Sequence, residues 1–264
     1  MCTNYRAPNE DPGISELKLG ISDLYRRDPW NQDVYPDYAA AIVCAAGGDA
    51  EAVKTVFGFW PKFMQPERRD GDGRKKRPFD TVNARSETVG SSRLYGKAWR
   101  DGQRCLIPAA WIYEPCYETG RNVWHRIGLT GWQPYCVAGI WKRYEDADGR
   151  SLIGMAMLTV NADGHLVMGR MHKPNDEKRS VVILRPVDYD EWLHTTNVEA
   201  ARSDAAFASG GRNDRGAKVT CSRECTADSI KRALIHNERG TYGCSRQTAQ
   251  AQGTYCRIGY QCCI

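Results

Sequence analysis

The sequence contains no run of 18 consecutive apolar residues, which excludes a membrane-spanning helix. It has no internal repeat. Its opening residues, Met1-Cys2-Thr3-Asn4-Tyr5-Arg6, lack the apolar stretch of a secretory signal, so a cytoplasmic protein is expected. Most of the chain also lacks net charge: residues 1–211 hold 28 Lys and Arg against 28 Asp and Glu. The whole excess of +5 lies in residues 212–264, where nine basic residues face four acidic ones. The isoelectric point of about 8.6 is therefore a property of the tail and does not argue that the body binds nucleic acid. Cysteine is likewise sparse in the body, at Cys2, Cys44, Cys105, Cys116 and Cys136. The other six of the 11 crowd into the last 44 residues, at Cys221, Cys225, Cys244, Cys256, Cys262 and Cys263.

What is present fits a soluble globular protein. The 264 residues are 41% hydrophobic and 26% charged, enough for one large domain or two small ones with a real core. Residues 1–40 are turn-rich, with a short helix expected around residues 17–27. Ala41-Ile42-Val43-Cys44 reads as a buried strand, and residues 53–59 form a second apolar piece running into Trp60-Pro61. Residues 68–77 hold six basic side chains and two glycines: either a solvated surface loop or a mobile arm for phosphates. Residues 86–100 fit a helix capped by Ser86, with Val89, Leu94, Ala98 and Trp99 on its apolar face. Strands are expected at 104–115, 124–130, 135–144, 152–161 and 179–186, with a hairpin connection at Asp146-Ala147-Asp148-Gly149 and a short helix at 188–194. The implied fold class is α+β: a single domain, residues 1–203, with an antiparallel barrel-like β core and peripheral short helices. Residues 204–264 read as an irregular Cys-rich basic tail, either disordered or the product of a frameshifted reading.

Four pieces can carry chemistry. Cys2 follows the initiator methionine; once that methionine is removed, the cysteine presents an α-amine (pKa about 7.7–8.0) beside a thiol (about 8.5). The amine can condense with an aldehyde to a Schiff base, and the thiol can then close a five-membered thiazolidine. No internal cysteine can do this; the bland alternative is an accident of position. The second piece, Asn83-Ala84-Arg85-Ser86-Glu87-Thr88, taken alone is a helix start. The third is Arg104-Cys105-Leu106-Ile107-Pro108-Ala109 followed by Trp111-Ile112-Tyr113-Glu114, in which Glu114 shares a strand face with Ile112. It is either a proton donor with a raised pKa or an edge-strand glutamate facing water. The fourth places His172 ahead of a strand beginning Arg179-Ser180-Val181-Val182-Ile183-Leu184, where it is a titrating cleft residue or an ordinary loop histidine.

In this order the four pieces resemble the SOS-response-associated peptidase family over residues 2 to about 200, and Phe57-Gly58-Phe59-Trp60-Pro61 sits where the family has a Trp-Gly-Leu-x-Pro segment. The resemblance implies a protein that binds single-stranded DNA and forms a covalent, ring-closed crosslink to abasic sites through its N-terminal cysteine. It also implies release of the initiator residue. On this likeness Cys2 is the nucleophile, Asn83 orients the N-terminus and sugar, Glu114 handles protons in the Schiff-base steps, and His172 assists ring opening and imine exchange. Arg85 contacts phosphate, as can Arg6 and the 68–77 arm; Phe57, Trp60 and Phe63 can stack on bases, while Trp111, Trp124, Trp132 and Trp141 are assigned to the core. The expected partner is single-stranded DNA with abasic sites, with no cofactor, no membrane, no obligate protein partner and a monomeric state.

The chain departs from the family pattern in three ways. Residues 173–178 separate His172 from Arg179 where the family has a compact His-x-Arg-Met-Pro, which leaves His165 as a rival histidine. Phe57 and Phe63 replace common tryptophans. The tail has no family counterpart; its Cys221, Cys225, Cys244, Cys256 and His236 match no zinc module, so no metal is expected. Two other functions compete with crosslinking: a Cys-type peptidase acting on peptides in trans, and a plain nucleic-acid-binding module using the basic arm.

Overall fold

The computed structural model describes residues 2–46, 48–145, 148–195, 197 and 219–223, all within the compact unit Met1–Glu224. Its strands are β1 (Tyr5–Arg6), β2 (Asp33–Val34), β3 (Ala39–Ala46), β4 (Asp49–Phe57), β5 (Arg68–Arg69), β6 (Lys75–Lys76), β7 (Asn83–Arg85) and β8 (Arg104–Ala109). There follow β9 (Trp111–Cys116), β10 (Val123–Leu129), β11 (Tyr135–Glu145), β12 (Ser151–Asn161), β13 (Arg179–Val181), β14 (Ile183–Leu184) and β15 (Val219–Arg223). The α-helices are short: α1 (Pro12–Glu16), α2 (Ile21–Arg27), α3 (Gly96–Arg100) and α4 (Tyr189–His194).

Five strands close on themselves in the order β12-β4-β3-β8-β11-β12, making a small barrel. All its pairings are antiparallel except the short parallel contact of β4 with β12. Alternation divides the barrel's apolar residues cleanly between two clusters. Ile42, Cys105, Ile107, Val137, Met155 and Met157 belong to the inner one. Val43, Leu106, Ala138, Ile140, Ala156 and Leu158 belong to the outer one, which Trp99 of α3 and Trp192 and Leu193 of α4 cover. Burial on both faces explains why these strands read as near-continuous apolar runs rather than alternating ones. The second sheet, in the order β15-β10-β9-β1-β2, contributes Tyr5, Ile112 and Ile127 to the inner cluster. Only Ala110 separates β8 from β9, so one segment passes from the barrel into this second sheet.

The barrel seam sets up the functional region. β4 pairs with Gly154 and Met155 of β12, and after a long excursion β7 pairs with Met157, Leu158 and Thr159 of the same strand. The crossing requires Gly154: a Cβ there would lie 2.6 Å from the carbonyl oxygens of Gly58 and Phe59. The excursion carries the basic arm, which is a hairpin of β5 and β6 turned by Asp70, whose carboxylate accepts from Asp72 N and Arg74 N.

Several sequence expectations need correction. The helix over 86–100 is absent: Asn83-Ala84-Arg85 is a strand, and only Val89–Ser91 and Gly96–Arg100 turn helically. Pairing with β12 outweighs the local capping signal, and Ser86 N donates to Thr159 O. Trp124 and Trp132 are not core residues; each is 37% exposed, Trp124 because it alternates away from the inward Ile127 and Trp132 because it sits in the turn after β10. The irregular reading of everything after residue 203 misses β15, which pairs with β10 from His125↔Arg223 to Leu129↔Val219. Most of that tail, with Cys225, His236, Cys244 and Cys256, and part of the hairpin connection at 146–149 lie outside the described residues. Among the described residues, no helix is long and apolar enough to cross a membrane, and no group of three or more His, Cys, Asp or Glu is arranged to hold a metal ion.

Candidate active site

Cys2 enters the molecule on the chain leading into β1. Tyr5 registers with Ile112 and Tyr113 N donates to Asn4 O at 3.1 Å, so the chain before β1 runs beside the far half of β9, which holds Glu114. Cys2 is 1% exposed, and its Sγ donates to Asn4 O at 3.3 Å. Burial pushes the thiol pKa far up, and the nearby Glu114 carboxylate pushes it the same way. The thiol is therefore protonated near neutral pH and needs a base to become a nucleophile. From β7, Asn83 Nδ2 donates to Cys2 O at 2.6 Å. Asn83 is itself fixed because Tyr95 Oη donates to its carbonyl at 3.1 Å.

Glu114 and His172 form the next part. Glu114 is 1% exposed, and burial lifts its carboxyl to about 8, opposed in part by the positive amino terminus. His172 Nδ1 lies 3.5 Å from Glu114 Oε2, and burial drives its imidazole down to about 4. Near neutral pH both are consequently uncharged, with the proton on the carboxyl. Among the described residues, Asn83 Oδ1 has no hydrogen-bond partner, and Glu114 Oε2 has only the 3.5 Å approach of His172 Nδ1. Each buried polar atom left without a partner costs about 1–3 kcal/mol. His172 also has φ = 64°, a left-handed conformation uncommon outside glycine. Its amide donates to Pro115 O at 2.6 Å, tying it to the strand of Glu114.

Beside this neutral pocket runs a charged rim. Arg179, 2% exposed, donates to both oxygens of Glu87, to Glu177 Oε1 at 2.9 Å and to Thr159 O at 2.8 Å. Glu177 also pairs with Arg85 at 2.7 Å. The Arg179 guanidinium holds the carboxyls of Glu87 and Glu177 below the usual range. Asn83 and Arg85 thus leave one face of β7 for two adjoining environments, while Ala84 points into the outer cluster.

A family comparison identifies the fold that carries this arrangement. The family model described as SOS response associated peptidase (SRAP) matches residues 1–217. The chain belongs to the SRAP family. Among solved structures, a protein from Bordetella bronchiseptica is 27% identical, covers 85% of this chain and 100% of its own, and superimposes with a TM-score of 0.69. A protein from Bacteroides thetaiotaomicron, 14% identical, covers 87% of this chain and 94% of its own with a TM-score of 0.62. A phage-related protein from B. bronchiseptica, 16% identical, covers 85% and 95% with a TM-score of 0.53. The latter two support the fold alone. No curated protein matches the chain.

Within this SRAP fold the sequence-predicted residues separate into groups. Asn83 bonds to the buried Cys2, Glu114 is close enough to act on its thiol, and His172 lies beside Glu114. Arg85 is on the rim, and Arg6 lies on the second sheet, paired with Asp33 at 2.8 Å and 5.8 Å from the Trp111 ring centroid. Phe63 is 64% exposed and Trp60 half-buried. Phe57 is a correction: it is fully buried, edge-on to Tyr5 at 5.3 Å, and cannot stack on a base. The inward turn of β4's last residue decides this. The rival His165 accepts from Val167 N and Met168 N, capping a short turn. Sequence reasoning missed Phe79, half exposed under the Arg68 guanidinium at 3.8 Å, and missed Glu177 and Lys178 in the loop after His172. Phe79 carries no local signal beyond being an aromatic in a polar loop.

Proposed function

We propose that this SRAP protein is an abasic-site sensor: it binds single-stranded DNA and closes a thiazolidine between Cys2 and the ring-opened sugar of the lesion. The observation that carries the reading is the grouping of Asn83 and Glu114 around Cys2, with His172 against Glu114. Removal of Met1 by hydrolysis, the self-processing peptidase step, frees the Cys2 α-amine. That amine attacks the aldehyde carbon to give a carbinolamine, which loses water to form an imine. Glu114, protonated near neutral pH, donates the proton that carries the hydroxyl away as water. The Cys2 thiol then adds across the imine: sulfur bonds to carbon, nitrogen gains a proton, and one water has been released overall. Asn83, held on the Cys2 carbonyl, orients the terminus, and its open Oδ1 receives a sugar hydroxyl. His172 takes and returns protons in ring opening and imine exchange. Arg85 contacts the phosphate backbone, while Phe63 and Trp60 offer stacking surfaces to flanking bases.

This reading requires that loss of Met1 open Cys2, which is 1% exposed with that residue in place, to the sugar carbon. Intact-mass measurement of the purified protein should show the mass without Met1. Incubation with single-stranded DNA carrying an abasic site should give an adduct that survives denaturing electrophoresis. Cys2→Ala should abolish it, and Cys2→Ser should fail to give the stable ring. A chain that keeps Met1, or that binds the DNA without any adduct, would overturn the proposal. Cleavage of added peptides dependent on Cys2, without adduct, would instead favour the trans-acting peptidase.

A further inference from the structure

Residues 173–178 interrupt the spacing between His172 and Arg179, yet the two remain neighbours: His172 Nε2 lies 3.4 Å from Arg179 O. The interruption folds back on itself. Asp176 N donates to Lys173 O at 3.0 Å, a tight turn with Pro174 in its second position. The closure is then completed by Lys178. Its Nζ donates to Met171 O at 2.8 Å, to His172 O at 3.3 Å and to Lys173 O at 2.7 Å. An ammonium has three donors, and here all three serve consecutive carbonyls centred on the residue with φ = 64°. Three carbonyl dipoles converging on one point repel unless a cation sits between them. A strained conformation of this kind persists only where its surroundings over-determine it.

We propose that Lys178 is a positioning residue: by gathering the carbonyls of Met171, His172 and Lys173 it holds the His172 imidazole against Glu114 and keeps the enlarged loop competent. This rests on the reading of the Cys2 site given above. Among the described residues, the charged or titratable groups around His172 include Glu114 and Cys116 from β9, Asp176 and Lys178 from the loop, and the amino terminus. From that position Lys178 disfavours a proton on the ring.

The test uses the full chain as wild type, Lys178→Met, Lys178→Gln and Lys178→Arg, with thermal unfolding as the fold check. At saturating abasic single-stranded DNA, Lys178→Met should form the denaturation-resistant adduct at least tenfold more slowly, with DNA affinity within about twofold of wild type. Lys178→Arg, which keeps the cation, should recover most of the rate. NMR titration of the His172 ring should move to higher pH in Lys178→Met and stay near wild type in Lys178→Arg. Should Lys178→Met not fold, Lys178→Gln takes its place, with a smaller loss of rate and the same direction of titration shift. A folded Lys178→Met or Lys178→Gln protein with wild-type rate, or with an unmoved His172 titration, overturns the proposal. Absence of adduct from the wild type overturns the reading of the site instead, while the titration still judges Lys178.

Discussion

The pocket around Cys2 and the rim around Arg179 are joined by one short segment, Asn83 to Glu87, yet they treat charge in opposite ways. In the pocket, burial outweighs attraction: Glu114 and His172 lie 3.5 Å apart and both are driven to their neutral forms. At the rim, a buried guanidinium keeps its charge because two carboxylates and a backbone carbonyl surround it. The difference is one of partners. A carboxyl facing apolar neighbours and a weakly basic ring has little to stabilise its anion, whereas one facing arginine has a full counter-charge. The result is a buried, uncharged acid–base pair beside a cluster of fully paired charges.

The largest effect expected of this contrast lies in the pH dependence of stability. Glu114 titrates near 8 in the fold against a usual 4.5. The unfolded chain therefore releases this proton first, and the native state loses stability as pH rises from about 4.5 through about 8. Below that window both states hold the proton and nothing is lost. Glu114→Gln should remove the dependence, so denaturant unfolding of wild type and variant should diverge by up to about 5 kcal/mol above pH 8. The same variant should slow adduct formation by about 10²-fold or more. Parallel stability curves for the two proteins would show that Glu114 ionises freely and that the pocket is not dry.

Two phenylalanines from one stretch sharpen the contrast between sealed and open positions. Phe57→Ala should cost about 3–5 kcal/mol of stability, measured by denaturant unfolding, because it empties a closed core site. Phe63→Ala should leave stability nearly unchanged and weaken single-stranded DNA binding by about 1–3 kcal/mol, read by fluorescence anisotropy. The sequence assigns both to one stacking role; only the inward turn at the end of β4 tells them apart.

The smallest expected effect concerns the rim. Glu177 occupies Arg85, so an incoming phosphate must displace a carboxylate. Glu177→Gln should tighten single-stranded DNA binding about threefold at low salt, with the gain fading at higher salt and absent in an Arg85→Ala background. A gain that persists without Arg85 would place the competition elsewhere.

Much of the barrel was legible in the sequence. The apolar runs at 104–115, 135–144 and 152–161 became paired strands because segments buried on both faces must be both apolar and extended. Asn83-Ala84-Arg85 was misread as a helix start because its strand partner, β12, lies some 70 residues away and adds nothing to a local pattern. Glu114 was read with two possible outcomes, since alternation gives a residue's face but not what covers it. The loop after His172 was visible only as a departure in spacing; its closure depends on carbonyls that leave no mark in side-chain order.

By itself, the sequence determined the long barrel strands, which motifs follow one another and which residue types are available for chemistry, because periodicity and composition are local properties. Tertiary structure alone decided that Asn83 holds Cys2, that burial leaves Glu114 and His172 uncharged side by side, and that Phe57 is sealed while Phe63 is open. Those outcomes depend on distance and on the exclusion of water, and both arise only when segments far apart in the chain are packed together.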